Sequence, residues 1–164
     1  MFNLQSSLTS YLLPLTSYLS PTDTRIFAVA QALQTGYTIG QIHQLTMIDR
    51  WFLQKLKHIV DINHALQEHS NLSELYQFLP QSEMMEYVEE EDFLTLLYVA
   101  KVYGFSDFQI ARALGFEQYL NMEKAGLIIR QWRKEYDILP LVNQIDTLAA
   151  EYPAQTNYLY MSYT

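Results

Sequence analysis

A short corner is written twice in this chain. GYTIGQIHQL, Gly36 to Leu45, returns as GFSDFQIARAL, Gly104 to Leu114. Both copies read Gly-aromatic-Thr/Ser-x-x-Gln-Ile, and each position has a mechanical task. The glycine can take the left-handed conformation that closes a helix. The hydroxyl of Thr38 or Ser106 can cap the next helix, and Gln41 or Gln109, three residues on, can complete a capping box. Tyr37 with Ile42, and Phe105 with Ile110, are spaced as hydrophobic staples. A chain that specifies the same helix-turn-helix corner twice is committed to a helical architecture.

The flanks agree. PTDTRIFAVAQALQT places Ile26, Val29, Ala30 and Leu33 on one helical face, with Pro21 near its start. Asp49 is the expected cap of a third helix, with Ile48 and Leu53 as its staple. That helix groups Phe52, Leu56, Ile59 and Val60, and leaves Lys55, Lys57, His58 and Asp61 wet. DFLTLLYVAKVY precedes the second corner. Met122, Ala125, Ile129, Trp132 and Tyr136 mark a later helix, which Gly126 weakens by roughly 1 kcal/mol relative to alanine.

The expected fold class is all-α: two small helix-turn-helix bundles sharing a core, with an extended C-terminal tail. The units are 21–66 and 92–136, joined by an acidic linker, 67–91, that contains a short helix near Leu72–Phe78. Pro140 ends the helical pattern, so 137–164 should run extended over the helices. Residues 1–20 form a lead-in. The echo LTSYL at Leu8–Leu12 and Leu15–Leu19 reads as one face of a short helix lying on the domain. This lead-in has no Lys or Arg ahead of its apolar stretch, unlike a signal peptide, and no run spans a bilayer.

Composition narrows the function. The chain has no cysteine, so thiolate metal sites and disulfides are excluded and a cytoplasmic setting is expected. A net charge of -8 disfavours phosphate backbones. Five glycines form neither G-x-x-x-x-G-K nor G-x-G-x-x-G. Thirteen tyrosines favour seams, where rings bury and hydroxyls stay at the rim.

Candidate chemistry is thin. His58, His64 and His69 do not align on one helical face, and His43 lies on another element, so surface histidines are preferred to a metal site. The run EMMEYVEEED is read as a solvated linker whose last acids favour the following helix N-terminus. SDFQIARALG resembles a DNA-binding helix-turn-helix, but the basic residues that follow, Lys124, Arg130, Arg133 and Lys134, are diluted by Glu117, Glu123, Glu135 and Asp137. A nucleic-acid-binding helix-turn-helix is the alternative reading. Arg130 and Arg133 could instead pair with Asp146 and Glu151 and pin the tail.

Five strings in order carry a resemblance: PTDTRIFAVAQAL, IHQLTMIDRWFLQKL, AKVYGFSDFQIARALG, RQWRKEYDILP and QIDTLAAEYPAQTNYLYMSY. Together they resemble the oligomerization (connection) domain of the carbamoyl phosphate synthetase large subunit, from about Ser20 to the end. Residues 1–19 match poorly, and Leu66 to Asp92 is longer than the resemblance implies. The resemblance implies a non-catalytic scaffold that spaces two ATP-grasp synthetase halves and aids subunit association. No cofactor is expected in this chain; ATP, magnesium and potassium would belong to the parent enzyme, and a glutamine amidotransferase subunit or domain would supply ammonia. Flanking synthetase domains and a possible homo-oligomer are the implied partners, with neither nucleic acid nor membrane. Trp51, Phe52 and Leu53 are expected to serve core and interface packing, and Asp146, Thr147 and Glu151 to anchor the tail. Tyr158, Tyr160 and Tyr163 are expected to face a second synthetase half, with Thr164 a cut boundary.

Overall fold

The structure is a computed structural model that describes residues 22–78, 91–144 and 159–163. It is mostly helical. The chain divides into two compact units, one up to Asp61 and one from Ile62 onward. Both corners form as their residues dictate. Gly36 and Gly104 hold φ of 93° and 88°, in the region that favours glycine. The amide of Tyr37 bonds the carbonyl of Ala32, and the amide of Phe105 bonds that of Ala100, the long-range bond that closes a helix of this type. Both capping boxes are complete. Gln41 N donates to Thr38 Oγ1 at 3.3 Å and Thr38 N to Gln41 Oε1 at 2.9 Å; Gln109 N donates to Ser106 Oγ at 3.2 Å and Ser106 N to Gln109 Oε1 at 2.8 Å.

The first unit holds α1 (Arg25–Gln34), α2 (Ile39–Thr46) and the start of α3 (Arg50–Glu68). Its buried cluster is Ala28, Val29, Ala32, Leu33, Ile42 and Leu53. Two expected stripes are corrected here. On α1 the inward face is turned toward Ala28 and Ala32, small residues that let α1 lie close to its neighbours, so Ile26 is exposed. On α3, Asp49 Oδ1 accepts from Trp51 N at 2.8 Å and starts the helix. The staple Ile48–Leu53 then sets its phase. Leu53 points inward, followed by Leu56 and Val60, and each residue turns the helix by about 100°. Phe52 and Ile59 therefore stand outside the core.

The second unit adds the rest of α3, then α4 (Asn71–Phe78), α5 (Glu91–Val102), α6 (Asp107–Ala113), a 3-10 turn (Phe116–Gln118) and α7 (Met122–Glu135). Trp132 centres its core, edge-on to Phe93 and Phe116 with centroids 6.2 and 5.9 Å away. Ala125, Ile129 and Trp132 are buried on α7, with Met122 and Tyr136 packed beside them, as the spacing required. The short helix expected near Leu72–Phe78 forms as α4, and its start packs into the core. Leu72 joins Leu66, the last residue of the first expected unit, in the core, and Ser73 is buried, its hydroxyl donating to Ser70 O at 2.7 Å. Gly126 has a packing reason: a Cβ there would come within 2.8 Å of the Phe108 ring.

The described parts of the tail beyond Pro140 are extended, and they pair. Strands β1 (Leu141–Gln144) and β2 (Leu159–Ser162) form an antiparallel ribbon in which Asn143 faces Tyr160 and Gln144 faces Leu159. Asn143 Nδ2 donates to Ser162 Oγ at 2.9 Å.

Candidate functional site

The second corner holds the tail. The buried Arg133 of α7 makes a two-pronged pair with Asp107, Nε to Oδ1 at 2.8 Å and Nη2 to Oδ2 at 2.7 Å. Its remaining nitrogen, Nη1, donates to Ile138 O and to the Tyr163 hydroxyl, both at 3.0 Å. Lys101, from the last turn of α5, donates to Asp107 Oδ1 at 3.1 Å and Phe105 O at 2.7 Å. Both cations face the Tyr163 ring, Lys101 at 5.4 Å and Arg133 at 5.8 Å from its centroid. Tyr98 Oη closes the set by donating to Tyr163 O at 2.8 Å. One tyrosine just beyond β2 is thus held through hydroxyl, ring and carbonyl by three helix residues. Two of these, Lys101 and Arg133, also bind Asp107.

The electrostatics are consistent with a built site. Burial alone would raise the Asp107 carboxyl, but hydrogen bonds and charge from Arg133 and Lys101 outweigh it and hold the group below its ordinary range. Each of the three Arg133 side-chain nitrogens has a partner, which matters because a buried guanidinium with unpaired nitrogens is costly.

The sequence-expected residues divide. Tyr163 anchors the tail. Tyr160 is on β2, exposed, beside the exposed Leu159 and Met161. Leu53 is core, while Trp51 and Phe52 are exposed, their rings edge-on at 4.9 Å. Asp146, Thr147, Glu151 and Tyr158 lie outside the described residues. Among the described residues, the charge that Arg133 meets is Asp107, and Arg130 is exposed. Asp107, Lys101 and Tyr98 were missed as site residues. The only local signal was charge: an acid in the first turn of one helix and a base in the last turn of the helix before it.

The other candidates resolve into ordinary contacts. His43 Nδ1 bonds Ile48 O at 2.7 Å, His58 bonds Gln54 at 3.0 Å, His64 lies 3.5 Å from Glu68, and the His69 ring packs tilted against Phe93. Among the described residues no three metal-ligating groups converge, and no helix is long and apolar enough to cross a membrane. On α6, where the DNA-binding resemblance begins, Asp107 is paired internally and Arg112 pairs with Glu117 at 3.2 Å. Both charged residues of α6 are therefore partnered within the chain.

Comparison with known proteins points one way. Residues 14–137 match the family described as carbamoyl-phosphate synthetase large chain, oligomerisation domain. The chain is 45% identical over 144 residues to the multifunctional protein CAD of Squalus acanthias, covering 88% of this chain and 5% of that protein. It is 41% identical over 143 residues to the multifunctional protein pyr1-3 of Dictyostelium discoideum, with 87% and 5% covered. It is 42% identical over 144 residues to the mitochondrial arginine-specific carbamoyl phosphate synthase large chain of Schizosaccharomyces pombe, with 87% and 10% covered. The chain therefore spans a tenth or less of the length of these relatives.

Proposed function

Because this chain belongs to the family of carbamoyl-phosphate synthetase large-chain oligomerisation domains, we propose that it acts as a non-catalytic spacer and association domain within a glutamine-hydrolysing carbamoyl phosphate synthetase. In this reading it lies between two ATP-grasp halves. ATP, magnesium and potassium are handled by those halves, and a glutamine amidotransferase subunit or domain delivers ammonia. The domain itself supplies rigidity and surface. The setting we propose is the cytoplasm.

The observation that carries the spacer role is the Tyr163 latch. A spacer has to fix the direction in which the chain leaves it. Three helix residues grip the residue that follows β2, so the exit of the ribbon is set by α5 and α7. The ribbon presents Leu141, Val142, Leu159, Tyr160 and Met161 exposed, an apolar surface suited to a neighbouring domain. Tyr160 is the seam residue we propose there.

Segment replacement tests this. The chain is exchanged for the matching segment of one of the multifunctional relatives, and glutamine-dependent carbamoyl phosphate formation is measured beside the partial reactions of each half. The expected result is full synthesis within a few-fold of the parent. Tyr163→Ala in that hybrid should lower coupled synthesis more than either partial reaction. Loss of one partial reaction alone, with the other intact, would contradict a spacer and indicate a catalytic contribution.

A further inference from the structure

We infer that the open apolar groove of the first unit is the seat of the chain's own lead-in, with Pro14–Leu19 lying in it as one short helix. The groove has a volume of about 440 Å³ and runs between Ile26 and Val29 of α1 and Phe52, Leu56 and Ile59 of α3. Ile26 is 56% exposed, Phe52 62% and Ile59 41%, while Val29 and Leu53 beneath them are each 1% exposed. The packing behind the groove is complete, so the groove is a surface feature and not a defect of the core. An open apolar surface of this kind marks a docking place for a segment of matching chemistry.

The point at which the described chain begins selects the occupant. Its first residues, Thr22 and Asp23, line the groove themselves. The residues before them are tethered at its mouth, and a segment on so short a tether acts at an effective concentration on the order of millimolar. The connection has the right length. Only Ser20 to Thr24 separate Leu19 from the start of α1 at Arg25. A loop of roughly two to five residues joins antiparallel helices. Pro21 disfavours helical backbone at Ser20, so a helix before it stops at Leu19.

Spacing and charge fit the same occupant. Proline is tolerated in the first turn of a helix and not in its interior, so the helical piece begins at Pro14. Its Leu15, Tyr18 and Leu19 then share one face, at the i, i+3, i+4 spacing by which a helix anchors in an apolar groove. Pro14 to Leu19 rises about 9 Å as a helix, and Phe52 to Ile59 about 10 Å along α3. Residues 1–20 contain no Asp, Glu, Lys, Arg or His. The groove asks for no counter-charge: Arg25 donates to Thr46 O at 2.8 Å, and Lys55 stands over the Trp51 ring at 5.4 Å. The family match also starts at residue 14, which places this helix in the same domain as the groove. With the spacer reading above, a seated lead-in fixes the chain's entry as the Tyr163 latch fixes its exit.

The chain contains no cysteine, so one introduced thiol reports one place. The dye-labelling rate of Ile59→Cys in the full chain is measured over a range of protein concentrations. The control is Leu127→Cys, at an exposed position of α7. Both are repeated with Leu15→Asp and Leu19→Asp added, and circular dichroism checks that each variant is folded. The expected result is that Ile59→Cys labels at least tenfold more slowly than Leu127→Cys, at a rate independent of concentration. The two aspartates should restore its rate and leave that of Leu127→Cys unchanged. Ile59→Cys labelled as fast as Leu127→Cys with the native lead-in overturns the inference. Protection that survives the two aspartates also overturns it, and protection that grows with concentration overturns it in favour of a second copy as the cover. The reciprocal pair decides the matter where the double variant does not fold. Leu19→Cys should be protected in the native chain and released by Phe52→Asp, and a rate indifferent to Phe52→Asp overturns the seat. None of these outcomes touches the spacer reading, which is tested by coupled synthesis.

Discussion

The two corners are the same device put to different uses. Each has its glycine near φ 90°, its completed capping box and a fully buried isoleucine in the staple position. They differ at positions the device does not use. Three residues before the glycine stands Leu33 in the first and Lys101 in the second. Directly after the cap stands Ile39 in the first and Asp107 in the second. In the first corner this pair packs with the apolar cluster; in the second it forms a 3.1 Å ion pair that also binds Arg133. Corner geometry depends on the glycine, the cap and the staple, so the remaining positions are free for another task. The second corner spends them on holding Tyr163.

If the mechanics are shared, the largest effects should be matched. Ile42→Ala and Ile110→Ala each empty a buried staple position, and each should cost about 3 kcal/mol. Urea denaturation followed by far-ultraviolet circular dichroism measures both. A difference of more than about twofold between them would mean the two corners are not mechanically equivalent.

The next effect should separate the corners. Asp107→Asn leaves the buried Arg133 without its carboxylate and should cost about 3 kcal/mol, whereas Ile39→Val in the first corner should cost about 1. The pH dependence has a definite sign. Asp107 has a lowered carboxyl in the folded chain, so its contribution is fully present above the ordinary value of 3.8. It is lost as pH falls through the lower folded value. Acid unfolding of the native chain should therefore be steeper below about pH 4 than that of Asp107→Asn. Equal acid slopes would remove Asp107 from the latch.

Much of this fold was readable because the governing rules are local. Caps, staples and closing glycines act within a few residues, so Thr38, Ser106, Gly36 and Gly104 could be assigned from the string alone. The α7 stripe was readable for the same reason, since one helix carries the whole of it. The failures needed a partner. Whether α3 buries Leu53 or Phe52 depends on the angle at which the Asp49 turn delivers it, one residue of phase. Arg133 and Asp107 meet across two helices. Arg133 was singled out in the sequence, but its pairing with Asp107 was not foreseen because no short-range rule connects α6 to α7. Strand pairing of 141–144 with 159–162 is likewise a long-range choice.

Smaller and again matched are the caps. Thr38→Ala and Ser106→Ala remove equivalent oxygens from equivalent amides, and each should cost about 1 kcal/mol. Hydrogen exchange at Gln41 N and Gln109 N is the sharper readout, because those are the amides the hydroxyls satisfy. Faster exchange at one and not the other would show that one hydroxyl is ornamental to its corner.

The smallest expected change comes from one further substitution within the device. Where the first corner has Gly40, the second has Phe108, and the Phe108 ring lies over Gly126 of α7. Alanine in a helix interior is favoured over glycine by roughly 1 kcal/mol. In Gly126→Ala that gain is set against displacing the ring, since the new Cβ would meet it at 2.8 Å. Phe108 is half exposed, so its ring can swing away at modest cost. Gly126→Ala alone should therefore move stability by less than about 0.5 kcal/mol. With Phe108→Gly, which restores the first corner's residue, the ring is gone and alanine should recover its full advantage of about 1 kcal/mol. The coupling between the two changes, read from denaturation midpoints at constant slope, measures how far the helix gave up propensity for that contact. No coupling would mean that Gly126 has no packing role beneath Phe108.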